Sequence, residues 1–302
     1  MKPKHLFELV LLSAVWGVSF LMMRIAVVTF PPVWISLLRC ALGASLLWTV
    51  LLIGGYSLPP RRRLPWMLFL AVLNNAVPFT FFAWGERTVP SNMAAVINAT
   101  VPIWILLFSV LLYRDRAGRK TIAGVLLSFA GVVIVIVGQS GGRAANEVSA
   151  GMLFGIIIIA LAAVSYAIAT LVAKTKLRGL DPMGLATTQL SLATALLLPV
   201  ALAGEHPSAL HAGPIGAVAV LGFAGSGVAY LLYYRLLEEI SATQLAGVTY
   251  LMPIWGVFWG LFADESIGIS AWFGVAVTVV GLALMNSRTK PAEAQSVIAT
   301  RG

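Results

Sequence analysis

Apolar stretches of about 20 residues recur along this chain, and they restrict its fold more than any other feature. A helix needs roughly 20 apolar residues to cross a bilayer core about 30 Å thick. Because 60% of the 302 residues are hydrophobic and only 10% are charged, a soluble globule of this size could not bury them. Ten such windows predict ten transmembrane helices, at residues 6–28, 33–53, 66–85, 92–112, 120–138, 150–173, 184–203, 214–236, 242–262 and 270–286. The predicted fold class is therefore an all-α integral membrane protein.

The Lys and Arg residues indicate the orientation in the membrane. With the N-terminus in the cytoplasm, 16 of the 20 basic residues fall in cytoplasmic segments, as the positive-inside rule requires. The outer loops keep Arg87 and Arg143, while Arg24 and Arg39 lie inside spans. Both termini are therefore predicted to be cytoplasmic. The net charge of +9 then faces anionic headgroups, so we expect membrane lipid and not nucleic acid as a partner.

Short motifs recur at a nearly constant spacing. Pro-Ile-Trp begins at Pro102 and again at Pro253, 151 residues later (253 − 102). Gly-Val followed by a second glycine occurs at 124–131 and at 274–281, a spacing of 150 (274 − 124). Small residues of this kind allow close helix approach. Val-Ser-Phe at 18–20 corresponds to Val-Ser-Tyr at 164–166, a spacing of 146 (164 − 18). These matches predict an internal duplication; the alternative is chance similarity between two segments rich in Gly, Val, Ala and Leu.

The duplication predicts the domain organisation. A first five-helix repeat, residues 1–138, is joined by a periplasmic loop, 139–149, to a second repeat, 150–286, and residues 287–302 form a cytoplasmic tail. Because five is odd, the second repeat enters the membrane with the opposite orientation. Inverted repeats are typical of transporters, whose substrate site lies near the bilayer midplane between the repeats. We therefore expect two inverted five-helix repeats around a central cavity.

Pro102 and Pro253 fall near the middle of two apolar spans, where a proline removes a backbone hydrogen bond. Lipid cannot satisfy the freed carbonyl groups of Asn98 and Thr249, so both kinks are expected to face protein or a water-filled cavity. Each kink would then present a carbonyl group beside a polar side chain at the depth of a substrate site. The alternative is a pair of kinks that serve only packing.

The repeat spacing pairs polar and aromatic residues of the two halves, and these pairs are expected to line an amphipathic cavity. The candidate substrate-binding residues are Ser19, Phe20, Asn75, Phe79, Phe82, Asn98, Ser165, Tyr166, Ser226, Tyr230, Tyr233, Thr249 and Tyr250. Ordinary helix packing is the alternative for each of them. Arg24 and Arg39 are candidates for attracting a substrate carboxylate or closing an outer gate; the alternative is that they extend toward the outer surface.

The chain resembles the EamA-type drug/metabolite transporter superfamily over residues 6–286. The resemblance rests on the ten-span pattern, the duplicated five-helix unit, the matching prolines of spans four and nine, and Trp16, Gly17, Ser19 and Phe20 in the first span. It implies an exporter of small metabolites in the bacterial inner membrane, with amino-acid exporters as the most similar subgroup. The Gly-Glu pair that is usual in the family after spans four and nine is only partly matched, by Arg114 with Asp115 and by Asp264 with Glu265.

We therefore expect an exporter of amino acids or similar small metabolites that works by alternating access. No Asp or Glu lies at mid-depth in the predicted spans, which favours facilitated transport; the alternative is a multidrug or other metabolite exporter driven by proton antiport. A channel would need a continuous polar path. An enzyme would need a catalytic group, but the loop histidines lack metal-ligand spacing and the single cysteine, Cys40, lies within a span. No catalytic residue, metal or cofactor is expected, and the pattern indicates no particular oligomeric state.

Overall fold

The computed structural model describes residues 3–113, 118–139, 149–208, 210–240, 245, 247–263 and 268–286, and every regular element within these ranges is helical. Eight of the described helices are long and apolar enough to cross a membrane. Two shorter apolar helices, Leu251–Gly260 and Ile269–Leu284, lie where the ninth and tenth spans are predicted. The all-helical membrane class is therefore confirmed, while the ninth and tenth crossings remain predictions.

The described helices of the first half are α1 (Pro3–Ala26), α2 (Pro32–Gly54), α3 (Leu64–Ala71), α4 (Val77–Gly85), α5 (Ser91–Asn98), α6 (Val101–Tyr113) and α7 (Arg119–Gln139). Those of the second half are α8 (Ala150–Lys176), α9 (Pro182–Ala203), α10 (Ala212–Ala219), α11 (Ala229–Glu239), α12 (Gly247–Gly260) and α13 (Ile269–Asn286). Short 3-10 turns at Arg61–Arg63 and Leu261–Ala263 precede α3 and follow α12.

Two central helices, α2 and α9, begin in the same way. Pro32 and Pro182 occupy their first turns, where the fixed φ favours a helix and the missing N–H removes no intrahelical bond. Asp181 also caps α9, because its Oδ1 accepts hydrogen bonds from two backbone N–H groups of the first turn at 2.8 and 3.2 Å. α2 ends before Gly55, whose φ of 66° is a left-handed conformation that glycine adopts without steric cost.

Both halves contain a π-helical segment at corresponding places. Val72–Ala76 joins α3 to α4, and Val220–Val228 joins α10 to α11. The first segment contains Asn75 and the second contains Ser226, two residues that the repeat spacing pairs. π-helical turns are rare and occur frequently at functional sites, because the extra residue in the turn changes the direction of the side chains. The hydrophobic pattern does not predict either segment.

The two prolines of the repeated motif differ in their effect. The fourth span is interrupted, since α5 ends at Asn98 and α6 begins at Val101 with Pro102 in its first turn. Thr100 supports the interruption by donating a hydrogen bond from Oγ1 to the carbonyl oxygen of Ile97 at 2.7 Å. Pro253, by contrast, lies inside α12, which continues through it. The helix is thus interrupted near Pro102 and continues through Pro253, and a kink at Pro253 stays a prediction.

α7 and α13 cross at the doubled glycines. A Cβ atom at Gly131 would lie 2.6 Å from the carbonyl oxygen of Gly274, and one at Gly281 would lie 2.7 Å from the carbonyl oxygen of Gly124. The backbones therefore touch, and no larger side chain fits without separating the helices. The second glycine of the first half, Gly131, meets the first glycine of the second half, Gly274, and Gly124 meets Gly281 in the same way. A twofold axis between two antiparallel helices produces this reciprocal arrangement.

α2 lies at the centre of the fold, where it packs against α4, α9 and the second π-helical segment. Small residues bring these elements together: a Cβ atom at Gly43 would lie 2.8 Å from Ser226 Cβ, and one at Gly222 would lie 2.5 Å from Leu42 Cβ. The close approach that small residues predict is therefore observed. It places the middle of α2 directly against the second half of the chain.

Candidate substrate-binding site

Arg39 lies in a polar cluster to which both halves of the chain contribute. It is about 10 Å along α2 from the start of that helix, and only 7% of it is exposed. Its Nε donates a hydrogen bond to Ser226 Oγ at 3.0 Å. Its guanidinium carbon lies 4.0 Å from the centroid of the Phe79 ring, which suits a cation–π interaction. Ser19 is adjacent, since a Cβ atom at Gly225 would lie 2.9 Å from Ser19 Oγ and 3.5 Å from Arg39 Nη2.

Asn75 and Tyr230 lie side by side next to this cluster. Asn75 is fully buried, and neither its Nδ2 nor its Oδ1 meets hydrogen-bond geometry with any described residue. Tyr230 and Tyr166 lie within electrostatic reach of Arg39 and are half-buried. Both rings pack against buried residues of one core cluster. Polar side chains of both halves thus surround Arg39.

Three aromatic rings connect α1, α4 and α8 beside the polar cluster. The Phe82 centroid is 5.6 Å from that of Phe20 and 6.2 Å from that of Tyr166. These separations are typical of favourable ring contacts. The structure therefore brings together residues of both halves that the repeat spacing selects, with Phe20 and Phe82 from the first half and Tyr166 from the second.

Other candidates lie apart from the cluster. Tyr233 packs against Trp16, with ring centroids 5.7 Å apart. Ser165 donates a hydrogen bond from Oγ to the carbonyl oxygen of Leu73 at 2.7 Å, so it supports the first π-helical segment. Asn98 is half-buried at the end of α5. The side chains of Thr249 and Tyr250 lie outside the described part of the structure.

Arg24 and Glu86 form a contact that the sequence pattern missed. Arg24 Nη1 donates a hydrogen bond to the backbone carbonyl oxygen of Glu86, which places its charge at the C-terminal end of α4, where the helix dipole favours a cation. The Glu86 side chain is fully buried and lies within electrostatic reach of Arg39. The sequence does contain a signal that could have predicted this contact. Glu86 directly follows a predicted span, and Arg24 lies near the same outer end of the first span.

Polar contacts close the end of the molecule near Thr29, which we call the Thr29 end. Ser208 N donates to the carbonyl oxygen of Thr29 at 3.2 Å, and Trp34 Nε1 donates to the carbonyl oxygen of Glu205 at 3.0 Å. Arg87 Nη2 also lies 3.5 Å from Glu205 Oε2. These contacts join the loop between α9 and α10 to the first half of the chain.

A second polar network closes the opposite end, which we call the His5 end. His5 Nε2 lies 2.7 Å from Glu239 Oε2. Arg235 lies between two acids, with Nη2 3.4 Å from Glu8 Oε1 and Nε 3.5 Å from Glu239 Oε1. The hydrogen bond with His5, together with the charges of Lys4 and Arg235, lowers the pKa of Glu239 below its ordinary value of 4.5. The network joins the start of α1 to the end of α11.

Two cavities lie at opposite ends of α2, on either side of Arg39. One of about 170 Å³ is bordered by Pro32, Trp84 and Glu205 at the Thr29 end. The other, of about 260 Å³, is bordered by Val50 and Arg235 at the His5 end. Among the described residues, no three His, Cys, Asp or Glu side chains form a group that could hold a metal ion. The polar and aromatic cluster around Arg39 thus lies between these two ends.

Comparison with known proteins identifies the family. The sequence profile of the EamA-like transporter family matches residues 6–137 and 153–287. The chain belongs to the EamA-like transporter family. Membership, together with eight apolar helices long enough to cross a bilayer, makes the protein a multi-pass membrane transporter.

Relatives and a solved structure cover nearly the whole EamA-like chain. The inner membrane transporter YedA of Escherichia coli strain K12 is 28% identical over 281 residues, which cover 91% of this chain and 88% of YedA. A transporter of Archaeoglobus fulgidus is 24% identical, with 92% of this chain and 97% of the relative covered. A crystal structure aligns with a TM-score of 0.68 at 19% identity, covering 94% of this chain and 96% of that one. The structural likeness shows a shared fold.

Proposed function

We propose that this EamA-like transporter exports small metabolites, amino acids in particular, across the inner membrane by alternating access. The observation that carries the proposal is the hydrogen bond between Arg39 of the first half and Ser226 of the second, within a cluster of aromatic and polar side chains. A site formed by both halves can open to one side or the other when the halves move. The name of YedA as an inner membrane transporter supports the location.

The inverted repeat is part of this proposal. Three observations support two five-helix units, residues 1–138 and 150–286, joined by a periplasmic segment at 139–149. The family profile matches the chain twice, the π-helical segments occupy corresponding places, and the glycines of α7 and α13 make reciprocal contacts. The distribution of Lys and Arg supports cytoplasmic termini and a cytoplasmic tail at 287–302. The His5 end then faces the cytoplasm and the Thr29 end faces the periplasm.

This arrangement supports the proposal of alternating access. The networks at the two ends would break one at a time, so that Arg39 and its neighbours reach only one compartment in each state. The interruption of the helix between Asn98 and Val101 supplies a place where α6 can change its angle to α5. Phe20, Phe82 and Tyr166 would contact the apolar part of the substrate.

Facilitated transport is the proposed mode, with proton antiport as the second candidate. The buried carboxylate of Glu86, near Arg24 and Arg39, is the observation that favours antiport, because buried carboxylates in membrane proteins commonly carry protons. A tenfold proton gradient decides between the two. Initial rates that do not change fit facilitated exchange, and rates that follow the gradient fit antiport.

Counterflow in proteoliposomes tests the proposal. Vesicles are loaded with an unlabelled amino acid, and entry of trace labelled L-threonine, L-methionine or L-phenylalanine is followed. Exchange of at least one amino acid without a gradient is the expected result. Absence of exchange for all amino acids, in vesicles shown to contain folded protein, would contradict the substrate class.

Variants of the cluster localise the transport site. Tyr230→Ala removes a ring within electrostatic reach of Arg39, and Phe82→Ala removes the ring between Phe20 and Tyr166. For each we expect a fall in exchange of at least about tenfold, the effect of losing one well-packed aromatic contact. Phe273→Ala is the matched control, because Phe273 is 61% exposed on the outer surface of α13. Equal rates for Phe82→Ala and Phe273→Ala would remove Phe82 from the site.

A further inference from the structure

Two contacts in the interior are related by the internal repeat. Arg39 follows the first proline of α2 by seven residues (39 − 32), and Gln189 follows the first proline of α9 by seven (189 − 182). Each contacts a polar residue in the π-helical segment of the other half. Arg39 Nε donates to Ser226 Oγ at 3.0 Å, and Gln189 Oε1 accepts from Asn74 Nδ2 at 3.2 Å. Arg39 and Gln189 therefore occupy corresponding positions, while their partners differ by one residue, since Ser226 corresponds to Asn75, the neighbour of Asn74.

The two positions differ in charge. Gln189 is neutral, and its side-chain oxygen pairs with the amide of Asn74. Arg39 carries a full positive charge and five N–H donors, yet a single hydrogen bond to a described residue uses one of them. No described carboxylate lies within 4 Å of its guanidinium group. A buried charge without a close counter-ion is strongly unfavourable inside a membrane protein.

Asn75 and Glu86 are the other buried polar side chains in this region. Asn75 is fully buried within hydrogen-bonding reach of Tyr230, although neither amide atom meets full hydrogen-bond geometry, and Glu86 lies within electrostatic reach of Arg39 but not within 4 Å of it among the described ion pairs. The face of the Phe79 ring covers one side of the guanidinium group. The unused donors of Arg39 form a site for an anion, and the planar guanidinium fork matches a carboxylate in particular. Asn75 lies near this site, because its neighbour Tyr230 is within electrostatic reach of Arg39.

We propose that Arg39 binds the carboxylate of the transported molecule, with Asn75 as a second donor, so that the substrate carries a carboxylate held nearer the Thr29 end than the His5 end. This inference rests on the proposed transport site. A single cation at one of two corresponding positions also gives the substrate a fixed orientation, with its apolar part toward the Phe20, Phe82 and Tyr166 rings. Amino acids and other monocarboxylates satisfy the requirement, and drugs that carry only positive charge do not.

Matched probes with and without a carboxylate test the proposal. In proteoliposomes that hold the full chain, competition by L-phenylalanine is compared with competition by L-phenylalaninamide. The wild type is expected to prefer the carboxylate by at least about tenfold, the loss associated with one charge-assisted hydrogen bond. Arg39→Gln is expected to reduce that preference to within about threefold, and Arg39→Lys is expected to keep part of it.

Two matched variants separate a binding role from a structural one. Gln189→Leu changes the corresponding position of the other half, and Arg62→Gln makes the same chemical change at an exposed cytoplasmic site. Both are expected to leave the preference for the carboxylate over the amide as in the wild type. The proposal is overturned if Arg39→Gln weakens competition by L-phenylalanine and by L-phenylalaninamide by the same factor. It is also overturned if Arg39→Gln keeps the wild-type preference for the carboxylate.

Melting temperatures in detergent test the anion site without transport. Sodium benzoate and sodium propionate are expected to raise the melting temperature of the wild type relative to sodium chloride at equal ionic strength, and to have no such effect on Arg39→Gln. If neither phenylalanine probe is exchanged, the proposed amino-acid transport fails, while stabilisation by monocarboxylates still supports the site at Arg39. If no monocarboxylate stabilises the wild type, the inference is overturned even where amino-acid exchange is found.

Discussion

The crossing of α7 and α13 makes a prediction that depends only on geometry. In Gly281→Ala the new Cβ atom would lie 2.7 Å from the carbonyl oxygen of Gly124, whereas ordinary contact begins at 3.4 Å. Because backbone atoms cannot rotate away, the helices must separate by about 1 Å and lose contacts along the crossing. Overpacking of this kind costs about 1–3 kcal/mol, and at about 2–4 °C per kcal/mol the melting temperature falls by roughly 2–12 °C.

A second glycine supplies the control for this prediction. Gly216 is exposed inside α10, and a Cβ atom there would have no neighbour within 4 Å. Gly216→Ala is therefore expected to stabilise the protein by up to about 1 kcal/mol, because alanine is the better helix former. The proposed twofold relation adds that Gly131→Ala lowers the melting temperature about as much as Gly281→Ala. The geometric reasoning is refuted if Gly281→Ala and Gly216→Ala melt at the same temperature in the same detergent.

Two further predictions concern single hydrogen bonds. Ser165→Ala leaves the carbonyl oxygen of Leu73 without its 2.7 Å donor, so we expect the free energy of unfolding to fall by about 1–3 kcal/mol. Ser45→Ala is the control, because Ser45 is exposed and its 2.7 Å hydrogen bond is to its own helix. Its free energy of unfolding is expected to fall by less than about 0.5 kcal/mol. For Glu239, whose lowered pKa stabilises the folded state above pH 4.5, the stability difference between the wild type and Glu239→Gln is expected to be present at pH 7 and to disappear as the pH falls below 4.5. Melting temperatures measured from pH 7 to pH 3 check the second prediction, and a difference that stays constant over this range would contradict it.

The sequence predicts the helices well because the bilayer imposes a simple rule. The predicted spans fall on described helix except at the turn at 27–28, at the interruption at 99–100 and at residues 242–244 and 246, which lie outside the described residues, since a stretch of apolar residues in lipid can satisfy its backbone only within itself. The doubled glycines also predict a contact, because only small residues allow two backbones to touch. Phe20 and Tyr166, which the repeat spacing pairs, both contact Phe82, whereas Tyr233, the residue paired with Phe82, packs against Trp16.

Departures from regular helix are what the sequence could not predict. The first π-helical segment receives a tertiary contact, the hydrogen bond from Ser165 to Leu73, that joins distant parts of the chain. The break between Asn98 and Val101 lies where Pro102 predicts a kink, but its extent, with a local hydrogen bond from Thr100 to Ile97, is not readable from the apolar pattern. Glu86 was missed because its charge places it outside an apolar window, although its burial comes from packing between helices. Arg24 and Arg39 look alike in sequence, yet one contacts a backbone carbonyl group and the other a serine of the second half.

Closing each end of the protein in turn tests alternating access around Arg39 most directly. In a Cys40→Ala background, Thr29→Cys with Ser208→Cys allows a disulfide across the Thr29 end, where the two backbones are joined by a 3.2 Å hydrogen bond. Glu8→Cys with Arg235→Cys allows a short thiol cross-linker across the His5 end, where the native side chains are 3.4 Å apart. Counterflow of labelled L-threonine, L-methionine and L-phenylalanine is measured before and after each closure.

We predict that a cross-link at either end alone abolishes the exchange measured before cross-linking. Reduction of the disulfide at the Thr29 end is expected to restore that exchange. Exchange that continues after one end is cross-linked would contradict alternating access, and so would a complete absence of exchange before cross-linking.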